Sequence, residues 1–124
     1  MEYMLLIYDD EARRVSASED DKQAMYAAYG AYTRSIRESG NLLGGNALLP
    51  GSATTTVRVR SDETLVTDGP FAETKEQLGG YYHVTAENID EAIELASRIP
   101  AARFGTIEIR PILEVPAPVP EPAR

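Results

Sequence analysis

Cysteine is absent from the chain, which removes disulfides, thiolate nucleophiles and every cysteine-based metal site at once. Histidine is nearly absent too. The single imidazole, His83, cannot build a multi-histidine centre. Acidic ligands alone remain available for magnesium or calcium, but no calcium-loop spacing occurs. No metal site and no cofactor are therefore expected. Positive charge is scarce: 12 Lys and Arg face 20 Asp and Glu, a net charge of −8. Phosphate neutralisation needs a basic surface, so binding to nucleic acid is not expected, nor is docking on an anionic membrane. Long apolar runs are missing as well. The apolar opening, Tyr3 to Tyr8, is far too short to cross a bilayer, and Glu2 precedes it where a secretory signal would carry a positive charge. The default location expected for such a chain is the cytoplasm.

What is present fits one folded domain. The 124 residues are 43% hydrophobic, and a domain of this size buries roughly two-thirds of its unfolded surface. Tyr3-Met4-Leu5-Leu6-Ile7-Tyr8 reads as a strand that is apolar on both alternating faces, so it expects cover on both sides. Asp9-Asp10-Glu11 should end it in a polar loop. Ser18 is a candidate N-cap, with Glu19, Asp20 and Asp21 in the first turn suiting the positive end of a helix dipole. Met25, Tyr29, Tyr32 and Ile36 fall on one helical face, and Gly40 closes the helix.

Asn41 to Leu49 reads as a glycine-interrupted extended segment, and Pro50-Gly51-Ser52 as a turn. Thr54 to Arg60 alternates, with Val57 and Val59 against Arg58 and Arg60. Thr64 to Thr67 is expected to continue the sheet. Pro70 suits the first position of a short helix over Phe71 to about Gln77, stopped by Gly79-Gly80. Tyr81 to Thr85 is strand-like. Asn88 with Glu91 starts a second long helix whose expected apolar stripe is Ile89, Ala92, Ile93 and Ala96. Pro100 ends it, and Thr106 to Arg110 alternates again. From Pro116 every second residue through Pro122 is proline, so residues 1–114 read as the domain and 115–124 as an extended, disordered tail.

The order is β-α-β-β-α-β with an insertion. Both long helices should pack on one sheet face. The other face then carries apolar residues of the first strand together with Arg58, Glu108 and Arg110. A second subunit pressing on that face, with a polar-lined cavity between, is the economical arrangement.

The most distinctive segment runs Val66-Thr67-Asp68-Gly69-Pro70-Phe71-Ala72-Glu73-Thr74-Lys75-Glu76-Gln77-Leu78-Gly79-Gly80-Tyr81-Tyr82. Asp68 suits a cap on the turn and equally a carboxylate poised for proton transfer. Phosphate is a poor fit, because Asp68 and Glu73 flank the turn and no nucleotide-loop motif follows a strand. His83 shares a strand face with Tyr81 and could pair with Asp68, Glu108 or Glu38, or be a partly buried histidine hydrogen-bonded to a neighbour, or one at the sheet's solvent face. Arg58 and Arg110 fit a clamp on a carboxylate ligand or, more plainly, an exposed strand face or inter-subunit ion pairs. Tyr26, Tyr29 and Tyr32 read as helix-face packing.

The chain resembles the DGPF-type branch of the YCII-related family. The resemblance is carried by Tyr3 to Tyr8, Gly40-Asn41-Leu42-Leu43-Gly44-Gly45, Thr55-Thr56-Val57-Arg58, the run Val66 to Tyr82, Ile99-Pro100-Ala101-Ala102 and Ile109-Arg110-Pro111, collinear over about residues 1 to 115. It implies an α+β, ferredoxin-like fold that dimerises as an α+β barrel. It also implies a His-Asp pair at a small cavity doing acid–base chemistry. Glu38 stands where that pattern has its acid, but the histidine position falls near Tyr26, and a phenol titrating near pH 10 is a poor base at neutral pH.

Two readings of function follow. In the first, a homodimer binds a small organic acid on its sheet face and acts on it by elimination or hydrolysis. Asp68 or His83 would be the base with Glu38 as the family-type acid, and Arg58 or Arg110 the anchor, with Tyr81 and Phe71 in the lining. In the second, the protein is a non-enzymatic module whose partner is an extracytoplasmic-function sigma factor, as the resemblance implies; net negative charge suits a protein partner better than DNA. Haem or oxygen chemistry finds little axial ligation in one strand histidine and no cysteine.

Overall fold

The structure, a computed structural model, describes residues 1–116. Of the expected tail, residues 117–124 lie outside the described residues. The architecture is mixed α+β: a four-stranded antiparallel sheet, a separate two-stranded sheet and three helices. In chain order the strands are β1 (Glu2–Asp9), β2 (Leu42–Ala47), β3 (Thr55–Arg60), β4 (Glu63–Asp68), β5 (Gln77–Thr85) and β6 (Thr106–Pro111). The helices are α1 (Glu11–Ser16), α2 (Glu19–Glu38) and α3 (Ile89–Ser97). The large sheet runs β2-β5-β1-β6, and β3 pairs only with β4.

The alternation of β1 sets the layers. Tyr3, Leu5 and Ile7 are buried, whereas Met4, Leu6 and Tyr8 between them are only half-buried. The first set meets Tyr32 and Ile36 of α2 and Ala92, Leu95 and Ala96 of α3 in one core. Two alanines let α3 lie close to the sheet. The Tyr32 hydroxyl donates to the Leu95 carbonyl at 2.7 Å, tying the two long helices, and its ring meets Tyr82 edge-on at 5.2 Å. The second set lies on a face that no helix covers, here called the open face.

The helix ends follow from local chemistry. Ser18 Oγ accepts from the Asp21 amide at 3.1 Å, and Asn88 Oδ1 from the Glu91 amide at 3.0 Å. The Glu91 carboxylate does not return the bond and accepts from Asn41 Nδ2 at 2.9 Å instead. Gly40, just past α2, has φ +82, a left-handed conformation that glycine adopts freely.

Four expectations are corrected. The loop expected at Asp9-Asp10-Glu11 is instead a direct junction: Asp9 ends β1, the Asp10 side chain accepts from the Ala12 amide at 3.0 Å as N-cap, and Glu11 starts α1, with Arg13 and Arg14 in its last turn. The short helix over Phe71 to Gln77 does not form: the segment is a loop, and β5 begins at Gln77. Seven residues with one apolar anchor do not repay helix nucleation, and ladder pairing to β1 captures the end of the run. Gly79-Gly80 therefore sits inside β5 rather than ending a helix. The buried stripe of α3 is Ala92, Leu95 and Ala96, and Ile89 and Ile93 are exposed. Finally, β3 and β4 do not extend the main sheet, so Arg58 is not on the open face with Glu108 and Arg110.

Candidate functional site

The open face is built from strand register. Met4 of β1 lies opposite His83 of β5 on one side and Arg110 of β6 on the other. Leu6 likewise separates Tyr81 from Glu108. His83, Tyr81, Glu108 and Arg110 therefore share one face, arranged around an apolar stripe of Met4 and Leu6. With strands about 4.8 Å apart, His83 and Arg110 stand about 10 Å apart across β1.

His83 has a partner that the sequence reading did not propose. Its Nε2 lies 2.7 Å from Oε1 of Glu2, a diagonal neighbour on the same face. Both side chains are partly solvated, so the pair adds at most about 1 kcal/mol to stability. Its value is orientation. A neutral imidazole that donates Nε2–H to a carboxylate presents its Nδ1 lone pair outward as a base. Arg110 Nε donates to Glu108 Oε1 at 3.2 Å, which leaves the terminal nitrogens of the guanidinium for a ligand. Tyr81 accepts from Asn46 Nδ2 at 2.8 Å on the β2 side.

The other candidates lie elsewhere. Glu38 is the exposed last residue of α2, on the helix-covered side of the sheet. Tyr26 is exposed on the same helix. Twelve positions at 1.5 Å rise put them about 18 Å apart, so phenol and carboxylate do not meet within one chain. Asp68 ends β4 opposite Thr55, and Arg58 lies opposite Leu65. Phe71, 80% exposed, closes a small cleft of about 140 Å³ with Arg58, Leu65 and Pro70. Within one chain the structure thus gathers His83, Tyr81 and Arg110 on the sheet, and Arg58 and Phe71 on the ribbon.

A larger cleft of about 380 Å³ lies where the loop after β4 passes α1, lined by Glu11, Ser52, Glu73, Thr74 and Gln77 among others. Glu11 Oε1 accepts from the Gly51 amide at 2.8 Å. The Gln77 amide nitrogen, oriented to donate, reaches the two Glu11 oxygens at 2.6 and 2.7 Å. Two carboxylates in this lining make it a poor seat for an organic anion. Gly69 at its rim has φ +102, the conformation for which the signature turn needs glycine.

Behind that cleft lies Asp9, the one buried charged residue among the described residues, 6% exposed. Arg14 Nε stands 3.3 Å from Asp9 Oδ1 but out of hydrogen-bond alignment. Burial raises the Asp9 pKa, and the Arg14 guanidinium opposes part of that rise. Burial also pushes the Tyr29 phenol up to about 12. Sequence reading passed over Asp9, although its parity with Tyr3, Leu5 and Ile7 points it to the covered face. Glu2 was missed because a diagonal contact across two strands requires their register. No three of the described His, Asp and Glu side chains converge to hold a metal ion, and no described helix is long and apolar enough to cross a membrane.

Comparison with known proteins returns a family match. A family model described as the YCII-related domain matches residues 1–116. An uncharacterised protein of Rhizobium meliloti is 37% identical over 114 residues, covering 90% of this chain and 92% of its own.

Proposed function

The chain belongs to the YCII-related family, and from that premise we propose that it binds a small organic acid on the open sheet face of a homodimer and acts on it by acid–base chemistry. The strand order β2-β5-β1-β6 supports a ferredoxin-like reading in which β3 and β4 are the insertion. The half-buried stripe of Met4, Leu6 and Tyr8 supports a second subunit over that face.

The observation that carries the reading is the 2.7 Å contact between His83 and Glu2, two strands from Arg110. Arg110 anchors the ligand carboxylate. His83, held by Glu2, removes a proton from a carbon or a water a few bonds away. The span of about 10 Å suits a dicarboxylate or a short-chain acid. An elimination needs such a base, an anchored anion and a leaving group β to the proton removed, which departs to solvent with its bonding electrons.

A thermal-shift screen of small carboxylates tests this. A stabilising ligand is expected, bound about tenfold or more weakly by Arg110→Gln. His83→Asn should retain binding and lose turnover. If no carboxylate shifts the unmodified protein, the reading fails, and a pull-down for a sigma-factor partner becomes the deciding measurement for the alternative, a non-enzymatic regulatory module.

A further inference from the structure

The ribbon formed by β3 and β4 stands apart from the body. Val57 is 58% exposed, Val59 58% and Val66 62%. Val57 and Val66 are opposite one another, and Val59 and Asp68 fall on the same face by alternation. A two-stranded ribbon is marginal by itself in water, and three valines on one of its faces are more than half exposed within this chain.

We propose that this valine face lies on the open sheet face of a second copy of the chain, so that Asp68 of the partner subunit completes the His83–Arg110 site. The inference rests on the sheet-face reading above and adds which segment of the second copy covers the site and which residue it brings. Three observations select a second copy as the occupant. The first is area. Four strands about 4.8 Å apart and six residues long project to roughly 400 Å², well short of the roughly 800 Å² per partner of a standard interface. The ribbon is the other uncovered strand surface among the described residues, and it brings the projected area to roughly 600 Å², closer to that figure. The second is polarity. The valines match Met4, Leu6 and Tyr8, whereas the opposite ribbon face carries Arg58, Arg60 and Glu63 around a single large apolar residue, Leu65. The third is charge. Asp68 makes no ion pair among the described residues, and Arg110 at the rim of the open face has two terminal guanidinium nitrogens beyond the Nε held by Glu108, one for the ligand carboxylate and one for Asp68. The arrangement accounts for the split of the signature segment: its carboxylate Asp68 sits on the ribbon, and its end at Tyr82, next to His83, sits on the sheet.

Photo-crosslinking tests the arm directly. A benzophenone amino acid at Val57 or Val66, in an equal mixture of heavy-isotope-labelled and unlabelled full-length protein, should give mixed-isotope cross-links. These should fall in the tryptic peptides 1–13 and 104–124, since trypsin does not cut the Arg110–Pro111 bond. The same probe at Arg60 should give none there. Val57→Asp with Val66→Asp should leave the circular dichroism unchanged and weaken dimerisation about tenfold or more, while Arg60→Asp leaves it alone. A dimer without these cross-links, or one indifferent to the valine changes, overturns the arm and leaves the sheet-face dimer standing. A monomer at every concentration in sedimentation overturns both.

Discussion

The sheet body and the ribbon obey opposite rules. In the body, β1 alternates between a face that is fully covered and one that is half covered, and every helix end near it is capped. In the ribbon, valines as apolar as anything in the core stand in water. Both regions have strong β-formers in strict alternation. What separates them is the number of neighbours: β1 has a strand on each side and two helices above, and β3 has only β4. Strand propensity therefore says little about stability, which comes from what the strand is packed against.

The contrast can be broken by substitutions ranked by expected effect. The largest belongs to Leu5→Ala, which empties a fully buried site and should cost about 2–5 kcal/mol in urea unfolding. A loss below about 1 kcal/mol would mean that the body is not the rigid half. Tyr32→Phe comes next. It leaves the Leu95 carbonyl without its buried donor and should cost about 1–2 kcal/mol by the same measurement. Ser18→Ala removes a cap and should cost about 1 kcal/mol, read as a lower thermal midpoint.

The effect of Asp9 is visible as a slope. Its folded pKa lies above the ordinary 3.8, so the folded state holds the proton more tightly. The stability this group contributes is complete below 3.8 and is lost as pH rises through the raised folded value. Asp9→Asn should abolish that slope, so the stability difference between variant and unmodified protein should grow from pH 3.8 upward in favour of Asn. A flat difference across pH would mean that Arg14 fully compensates the burial. The smallest effect is expected for Val57→Ala, within about 0.5 kcal/mol at concentrations where the protein is monomeric. A larger loss there would show that the ribbon is packed on its own chain.

Much of the fold was legible because it rests on local periodicity. The β1 strand, the α2 stripe with Ser18 before it and Gly40 after it, and the Asn88 cap need only neighbours a few positions apart. The errors cluster where non-local pairing decided. The run from Phe71 to Gln77 has a helix-starting proline, yet the β1 ladder captured its end. The alternation of β3 correctly indicates a strand but cannot say which strand it joins. Ile89 and Ile93 are more hydrophobic than Ala92 and Ala96, but close approach to the sheet favoured the alanines. The candidate site was half legible. His83, Tyr81 and Arg110 were selected by residue type and strand parity, and Glu2 was not selected at all.

Alone, then, the order of residues determined most of the strands, the two long helices with their N-caps and the alternation of β1, since each is a matter of spacing along one segment. The three-dimensional arrangement decided that Arg110 and His83 flank Met4, that Glu2 is the imidazole's partner, and that the two strands bearing Arg58 and Asp68 stand outside the main sheet. Those facts depend on which strands are adjacent and in what register, and that is settled by the combined packing of segments as far apart in the chain as Met4 and Arg110.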